Sequence, residues 1–266
     1  MLSARLQRTQ FPRRFMRRLG AVIAAFVMLT GLSTVVPVAS GSAVSTAPAT
    51  VASVSPGPGQ TVGVVHPVTV TFTDAVDNRA ATERAITVTP AGMSDRASGS
   101  FTWLDDRTVE WNPAEFFPAH TPINVSVGAF ATSFQTGSSV VSVADISAYS
   151  FTVSIDGVTA RQMPASMGKT GFATPTGRFS ALGKERRVTF DSRTIGIPLD
   201  DPEGYLIKGE YGVRVTWGGV YVHSAPWSVG SQGYANVSHG CINLSPDNAA
   251  WYFNTVRVGD PIIVQA

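Results

Sequence analysis

Residues 68–73 read Val68-Thr-Val-Thr-Phe-Thr73, with Val68, Val70 and Phe72 on one side of an extended chain and three threonines on the other. That two-residue period is the mark of a strand with one face in a core and one in water. Working outward, short apolar runs of the same kind recur at 86–89, 101–104, 108–111 and 123–127. Turn formers separate them: Thr89-Pro90-Ala91-Gly92, Asp105-Asp106 and Asn112-Pro113. Short strands at this spacing predict a small β-sandwich over 61–140. Upstream, 44–60 is a run of Ser, Thr, Ala, Pro and Gly with little to pack, which predicts a linker.

A second β-rich segment begins at Tyr149-Ser-Phe-Thr-Val-Ser-Ile155 and turns at Asp156-Gly157, a strong hairpin signal. Further strands are predicted over 178–182, 188–190 and 212–223, the last carrying His223 out at the end of an apolar run. One internal helix stands out. Ser245 suits an N-cap, Pro246 and Asp247 suit a first turn, Ala249, Ala250, Phe253 and Val256 make an apolar stripe, and Gly259 stops it before a final strand over 262–264. The fold class is mostly β: a sandwich, then a second β-rich domain with one helix near its C-terminal end.

The chain has 266 residues, 44% of them apolar, enough for two cores. Its formal charge of +2 misleads, because Arg5, Arg8, Arg13, Arg14, Arg17 and Arg18 all precede an N-terminal apolar run; without them 14 basic side chains face 18 acidic ones. A body with that balance has no electrostatic footprint for nucleic acid. Arginines, then 21–29 apolar, then small residues through Ala43 form an export signal over 1–43, cut after Ser40 or Ala43 or else kept as a membrane anchor through 19–38.

Cys241 is the only cysteine, so no internal disulfide exists, and an exported protein with one thiol carries either an inert buried residue or a nucleophile. Its context is Ser238-His-Gly-Cys-Ile-Asn243, in a glycine-bearing turn between the His223 strand and the helix. A thiol is mostly protonated at neutral pH and needs a base to become nucleophilic. His223, arriving from a separate strand, is the candidate base, and His239 a supporting or positioning group. The Gly240 and Cys241 amides are candidate oxyanion donors. The imidazole's orienting partner is either a distant carboxylate or a backbone carbonyl. A zinc site from Cys241, His239 and His223 is disfavoured, because two ligands bracketing one glycine strain a tetrahedral shell. No metal or cofactor is expected. Lys169 reads as a solvated charge, Met163 and Met167 as core, and His66 and His120 receive no role.

His223, fourteen intervening residues and then Ser238-His-Gly-Cys-Ile-Asn243 resemble the signature of the L,D-transpeptidase (YkuD-type) catalytic domain. The text around it, His223-Ser-Ala-Pro-Trp-Ser-Val229, Met163-Pro-Ala-Ser-Met-Gly-Lys169, Thr174-Pro-Thr-Gly177, Asp201-Pro-Glu-Gly-Tyr205 and Asn243-Leu-Ser-Pro-Asp-Asn-Ala249, is similar to the actinobacterial branch over 147–265. The sandwich resembles the Ig-like module of such enzymes, in one copy. The resemblance implies an exported cell-wall enzyme that forms a Cys241 thioester with a peptidoglycan donor stem, releases D-Ala and passes the acyl group to an acceptor stem in a 3→3 cross-link. It implies acylation by carbapenem β-lactams, His223 oriented by the Ser224 carbonyl, and substrate contacts at Tyr205, Gly218, Gly219, Trp227, Ser238 and Asn243. Ile195 before Gly-Ile-Pro and Phe190 before Asp-Ser depart from the family text. Transfer to water (an L,D-carboxypeptidase) or to a protein amine (wall anchoring), and a non-catalytic wall-binding protein, are the alternatives.

Overall fold

The computed structural model describes residues 49–266; the signal or anchor expected over 1–43 lies outside the described residues. The first module has strands β1 (Val51–Ser55), β2 (Thr61–Val62), β3 (Val68–Phe72), β4 (Ile86–Pro90), β5 (Gly99–Trp103), β6 (Thr108–Pro113), β7 (Pro122–Val127) and β8 (Phe130–Thr136). They form two four-stranded sheets, β1-β3-β6-β5 and β2-β8-β7-β4. The valines and Phe72 of β3 turn inward as their period requires and meet Trp111, Ile123, Val125 and Phe134 in one core that joins both sheets. A short helix α1 (Arg79–Ala85), capped by the Asn78 side chain, links β3 to β4.

The sequence placed a linker where β1 lies. Ser- and Ala-rich text hid the strand, which is an edge strand, largely exposed, held by backbone pairing to β3 rather than by a buried face.

The second module contains β9 (Val140–Asp145), β10 (Ser150–Ile155), β11 (Val158–Pro164), β12 (Gly177–Ser180), β13 (Gly183–Asp191), β14 (Leu206–Arg214), β15 (Tyr221–Ser224), β16 (Ile242–Leu244) and β17 (Pro261–Gln265). One sheet runs β11-β10-β9-β17-β12 and the other β13-β14-β15-β16. It therefore starts at Val140, earlier than the expected 147, because β9 pairs with both β10 and β17. Asp156-Gly157 makes the expected hairpin between β10 and β11, both residues at positive φ. The strand expected over 212–223 is broken: Thr216 to Gly219 form a turn, with the Gly219 N–H on the Thr216 carbonyl and Gly219 at φ 98°. Glycine tolerates that angle and most residues do not.

Helix α2 (Pro246–Thr255) starts where Ser245-Pro246-Asp247 placed it and buries Ala249 and Tyr252. Tyr252 stands edge-on to Phe151 at 4.9 Å and accepts a hydrogen bond from Ser142 Oγ, so α2 is fastened to β9 and β10 at the centre of the core. Met163 and Met167 are buried in that core. The two modules share main-chain hydrogen bonds: Gly63 N–H to the Val258 carbonyl (2.9 Å) and Val65 N–H to the Gly259 carbonyl (2.8 Å). No helix among the described residues is long and apolar enough to cross a membrane.

Candidate active site

The site grows from one strand pair. β15 and β16 run parallel, with Val222 opposite Ile242 and His223 opposite Asn243. Val222, Ile242 and Leu244 are fully buried in the core. Alternation then puts His223, Asn243 and the preceding Cys241 on the other face, His223 diagonal to the thiol across neighbouring strands. That face lines a pocket of about 320 Å³ whose walls include Cys241, His223, Asn243, Ser238, His239, Tyr205 and Trp227.

The His223 ring is buried, and its Nδ1 lies 2.8 Å from the Ser224 carbonyl oxygen. A carbonyl only accepts, so Nδ1 carries the hydrogen and Nε2 keeps its lone pair. The residues alone left the orienting group open and the family resemblance implied the Ser224 carbonyl; that carbonyl is the group Nδ1 faces. Burial lowers the His223 pKa to about 4, against hydrogen bonds with the Ser224 carbonyl and the Asn243 side chain that raise it. Desolvation likewise pushes the Cys241 thiol up to about 11, and its Sγ–H points at the Gly219 carbonyl, 3.7 Å away. At pH 7 the resting pair is a neutral imidazole beside a neutral thiol, suited to general-base catalysis in which the proton moves as the bond to sulfur forms.

The nucleophile loop is stitched from within. Gly240 has φ 113°, its N–H donates to Ser238 Oγ (3.1 Å), and Ser238 Oγ donates to the Cys241 carbonyl (2.7 Å). The expectation that the Gly240 amide serves as an oxyanion donor is thus corrected: that donor is satisfied by the Ser238 hydroxyl. Glycine is required here for its backbone angle instead.

Other predicted residues divide. Trp227, half exposed on a short 3-10 turn (Pro226–Ser228), sits 5.9 Å from the His223 ring and walls the pocket. Tyr205 lies 5.0 Å from the His239 ring on another wall. Asn243 donates Nδ2 to Ser228 Oγ, and its side chain faces the His223 imidazole. Gly219 touches the thiol, but Gly218 lies on the turn without lining the pocket.

His239 does not join the thiol–imidazole pair; its Nε2 lies 3.0 Å from Glu203 Oε2. Lys169, expected to be a solvated charge, is instead paired with that same carboxylate oxygen at 2.5 Å. Sequence reasoning missed this trio because its members lie far apart in the chain; the family-like text around each of them was the available signal. Phe190, one of the departures from family text, packs 4.3 Å from the His223 ring, while Ile195 is exposed and outside the pocket lining. Among the described residues no cluster of His, Cys, Asp and Glu could hold a metal ion.

A thiol and a tautomer-fixed imidazole on neighbouring strands, in a pocket walled by aromatic rings, define a cysteine-dependent acyltransferase. Residues 139–264 match the L,D-transpeptidase catalytic domain, and residues 34–130 the bacterial Ig domain. The chain is 53% identical over 252 residues to L,D-transpeptidase 1 of Mycobacterium tuberculosis, covering 95% of this chain and 99% of that protein. A solved L,D-transpeptidase from Mycobacterium smegmatis is 62% identical with a TM-score of 0.79, over 82% of this chain and all of that one (100%). A structure of the L,D-transpeptidase LdtMt1 in complex with imipenem is 56% identical with a TM-score of 0.75, over 82% of this chain and 99% of that one. The chain belongs to the L,D-transpeptidase family.

Proposed function

We propose that this protein acts on peptidoglycan outside the cytoplasmic membrane, exported by its N-terminal segment, which is either removed or retained as an anchor. Cys241 Sγ attacks the carbonyl of the third residue of a donor stem while His223 Nε2 takes the thiol proton. The Cys241 N–H is the remaining local donor for the oxyanion. Collapse breaks the bond to D-Ala, whose amine receives the proton from His223, and leaves a thioester on Cys241. The side-chain amine of an acceptor stem then attacks that thioester; His223 takes the amine proton and returns one to the departing sulfur, giving a 3→3 cross-link. Asn243, whose side chain faces the His223 imidazole and favours its protonated form, lines the pocket wall beside the base.

The observation that carries this reading is the His223 imidazole, its Nδ1–H fixed on the Ser224 carbonyl and its Nε2 left as the base beside Cys241. The test is incubation with a purified disaccharide-tetrapeptide and mass analysis. Loss of D-Ala with formation of dimers is expected; tripeptide alone would make the enzyme a carboxypeptidase. Carbapenems are expected to form a covalent adduct that is absent in Cys241→Ala, and an adduct of full yield in that variant would overturn the assignment of the nucleophile.

A further inference from the structure

The pocket has two walls built as separate bodies. On the nucleophile side, Ser238 N–H donates to the Met167 carbonyl, Lys169 N–H to the Ser238 carbonyl, Gly168 N–H to Thr174 Oγ1, and Thr174 Oγ1 to the Gly240 carbonyl. The 163–174 segment and the Ser238-to-Cys241 loop are therefore bonded into one wall. On the facing side, the 198–205 loop is folded upon itself. Asp201 N–H bonds the Pro198 carbonyl, Glu203 N–H bonds Asp201 Oδ1, and Tyr205 N–H bonds the hydroxyl of buried Ser192. Each wall satisfies its own backbone, and none of these bonds crosses the pocket.

Glu203 crosses it. A single oxygen, Oε2, receives both Lys169 Nζ (2.5 Å) and His239 Nε2 (3.0 Å), two donors fixed on the nucleophile side. A carboxylate only accepts, so His239 carries its hydrogen on Nε2. The ring held in this way lies between Phe172 (4.5 Å) and Tyr205 (5.0 Å). We propose that Glu203 is a positioning residue: it latches the 198–205 loop to the nucleophile loop and so sets how closely Tyr205 stands over Cys241.

The latch is of a kind that opens. The Lys169, Glu203 and His239 side chains are 29%, 46% and 16% exposed. Charges at such exposure hold weakly and are screened by salt. Lys169 and then His239 keep the Glu203 carboxyl below its ordinary range, so the latch is charged at neutral pH. Each opening frees the Tyr205 wall without unfolding either body, which gives a bulky stem peptide a way in.

This inference rests on Cys241 as the acylated group, and the test separates the two. Acylation by imipenem is followed in the full chain at low and high salt for the parent protein, Glu203→Gln, Lys169→Met and the double variant, with Cys241→Ala as control. Glu203→Gln is expected to raise the half-saturating imipenem concentration roughly fivefold, the scale of one to two exposed ion pairs, and to leave the limiting rate and melting temperature nearly unchanged. The parent protein in about 1 M salt, where the Debye length falls to about 3 Å, is expected to resemble Glu203→Gln, and the two single substitutions to combine non-additively. Glu203→Asp, one methylene short of both donors, is expected to recover only part of the loss. Identical half-saturation and salt response in the parent and Glu203→Gln would overturn the latch and leave an ordinary surface ion pair. No Cys241-dependent adduct in the parent would instead overturn the acyl-enzyme reading. If Glu203→Gln does not fold, Lys169→Met carries the same salt comparison, and an unchanged response there counts against the latch.

Discussion

At the scale of single residues, the site depends on one backbone angle more than on any one contact. Gly240 has φ 113°, and a Cβ built on it would find its nearest neighbour 3.8 Å away, at the Phe172 carbonyl oxygen. Space is available; the conformation is not. Gly240→Ala is therefore expected to cost about 1–3 kcal/mol of backbone strain, or to relax by breaking the Gly240 N–H to Ser238 Oγ bond and turning Cys241 out of line. The expected outcome is a fall in carbapenem acylation of about tenfold or more, since about 1.4 kcal/mol corresponds to a tenfold change, in a protein that still melts cooperatively. Acylation at the parent rate would show that the angle is incidental. That Cys241 and His223 come to one pocket was legible because their spacing matches the family text. The Ser224 carbonyl came only through the family resemblance, because a backbone group leaves no trace in residue type.

Elements show the same division between what text carries and what only packing decides. The start of α2 was legible from Ser245-Pro246-Asp247, yet its deepest side chain, Tyr252, was passed over because a hydroxyl reads as polar until Ser142 supplies a partner. The broken strand before His223 was missed because its apolar residues outweighed Gly218-Gly219, and β1 because its sequence is that of a linker. At the turn from α2 into β17, Asp260 is fully buried: Oδ2 accepts the Arg257 N–H, and Oδ1 lacks a hydrogen-bonding partner. Desolvation raises its pKa from 3.8 to about 7, against Arg257, Val64 and Lys184, which lower it. The folded protein thus holds this proton more tightly than the unfolded chain does. Its contribution is full below about pH 4 and is lost as pH rises through about 7, at up to about 1.4 kcal/mol per pH unit. Denaturant midpoints against pH are expected to lose that slope in Asp260→Asn, with the variant more stable than the parent above pH 7. A slope that persists in the variant would assign it to another group.

At the scale of the whole molecule, the described residues form two cores joined by main-chain bonds. Gly63 is pressed against the catalytic module so closely that a Cβ would lie 2.1 Å from the Asp260 nitrogen. Gly63→Ala forces the modules apart, and the expected cost is about 1–3 kcal/mol. Calorimetry is expected to show the parent's transition shifted down or split in two, with Cys241 acylation retained, since Gly63 lines no part of the pocket; an unchanged melting profile would show that the junction carries no stability. The division into two β modules was legible from strand spacing, but this junction was not, because it joins groups far apart in the sequence: backbone at Gly63 and Val65, and side chains such as His120 on Asp156 and Arg178 over Phe116.

The position of β17 has a consequence for the order of assembly. The latest strand in sequence lies inside its sheet, parallel to β9 and antiparallel to β12, with Gln265 against Asp145, 120 residues earlier. Until it inserts, β9 and β12 each present an unpaired edge with no neighbour to close it. That sheet, which is not the β13-β14-β15-β16 sheet bearing His223, is therefore closed only by the most distant pairing in the module, a non-local contact of the kind that slows folding relative to the local hairpin of β10 and β11. A chain that emerges N-terminus first during synthesis displays the β9 edge for as long as β17 has not emerged. In that interval the half-built sheet is open to pairing with other chains.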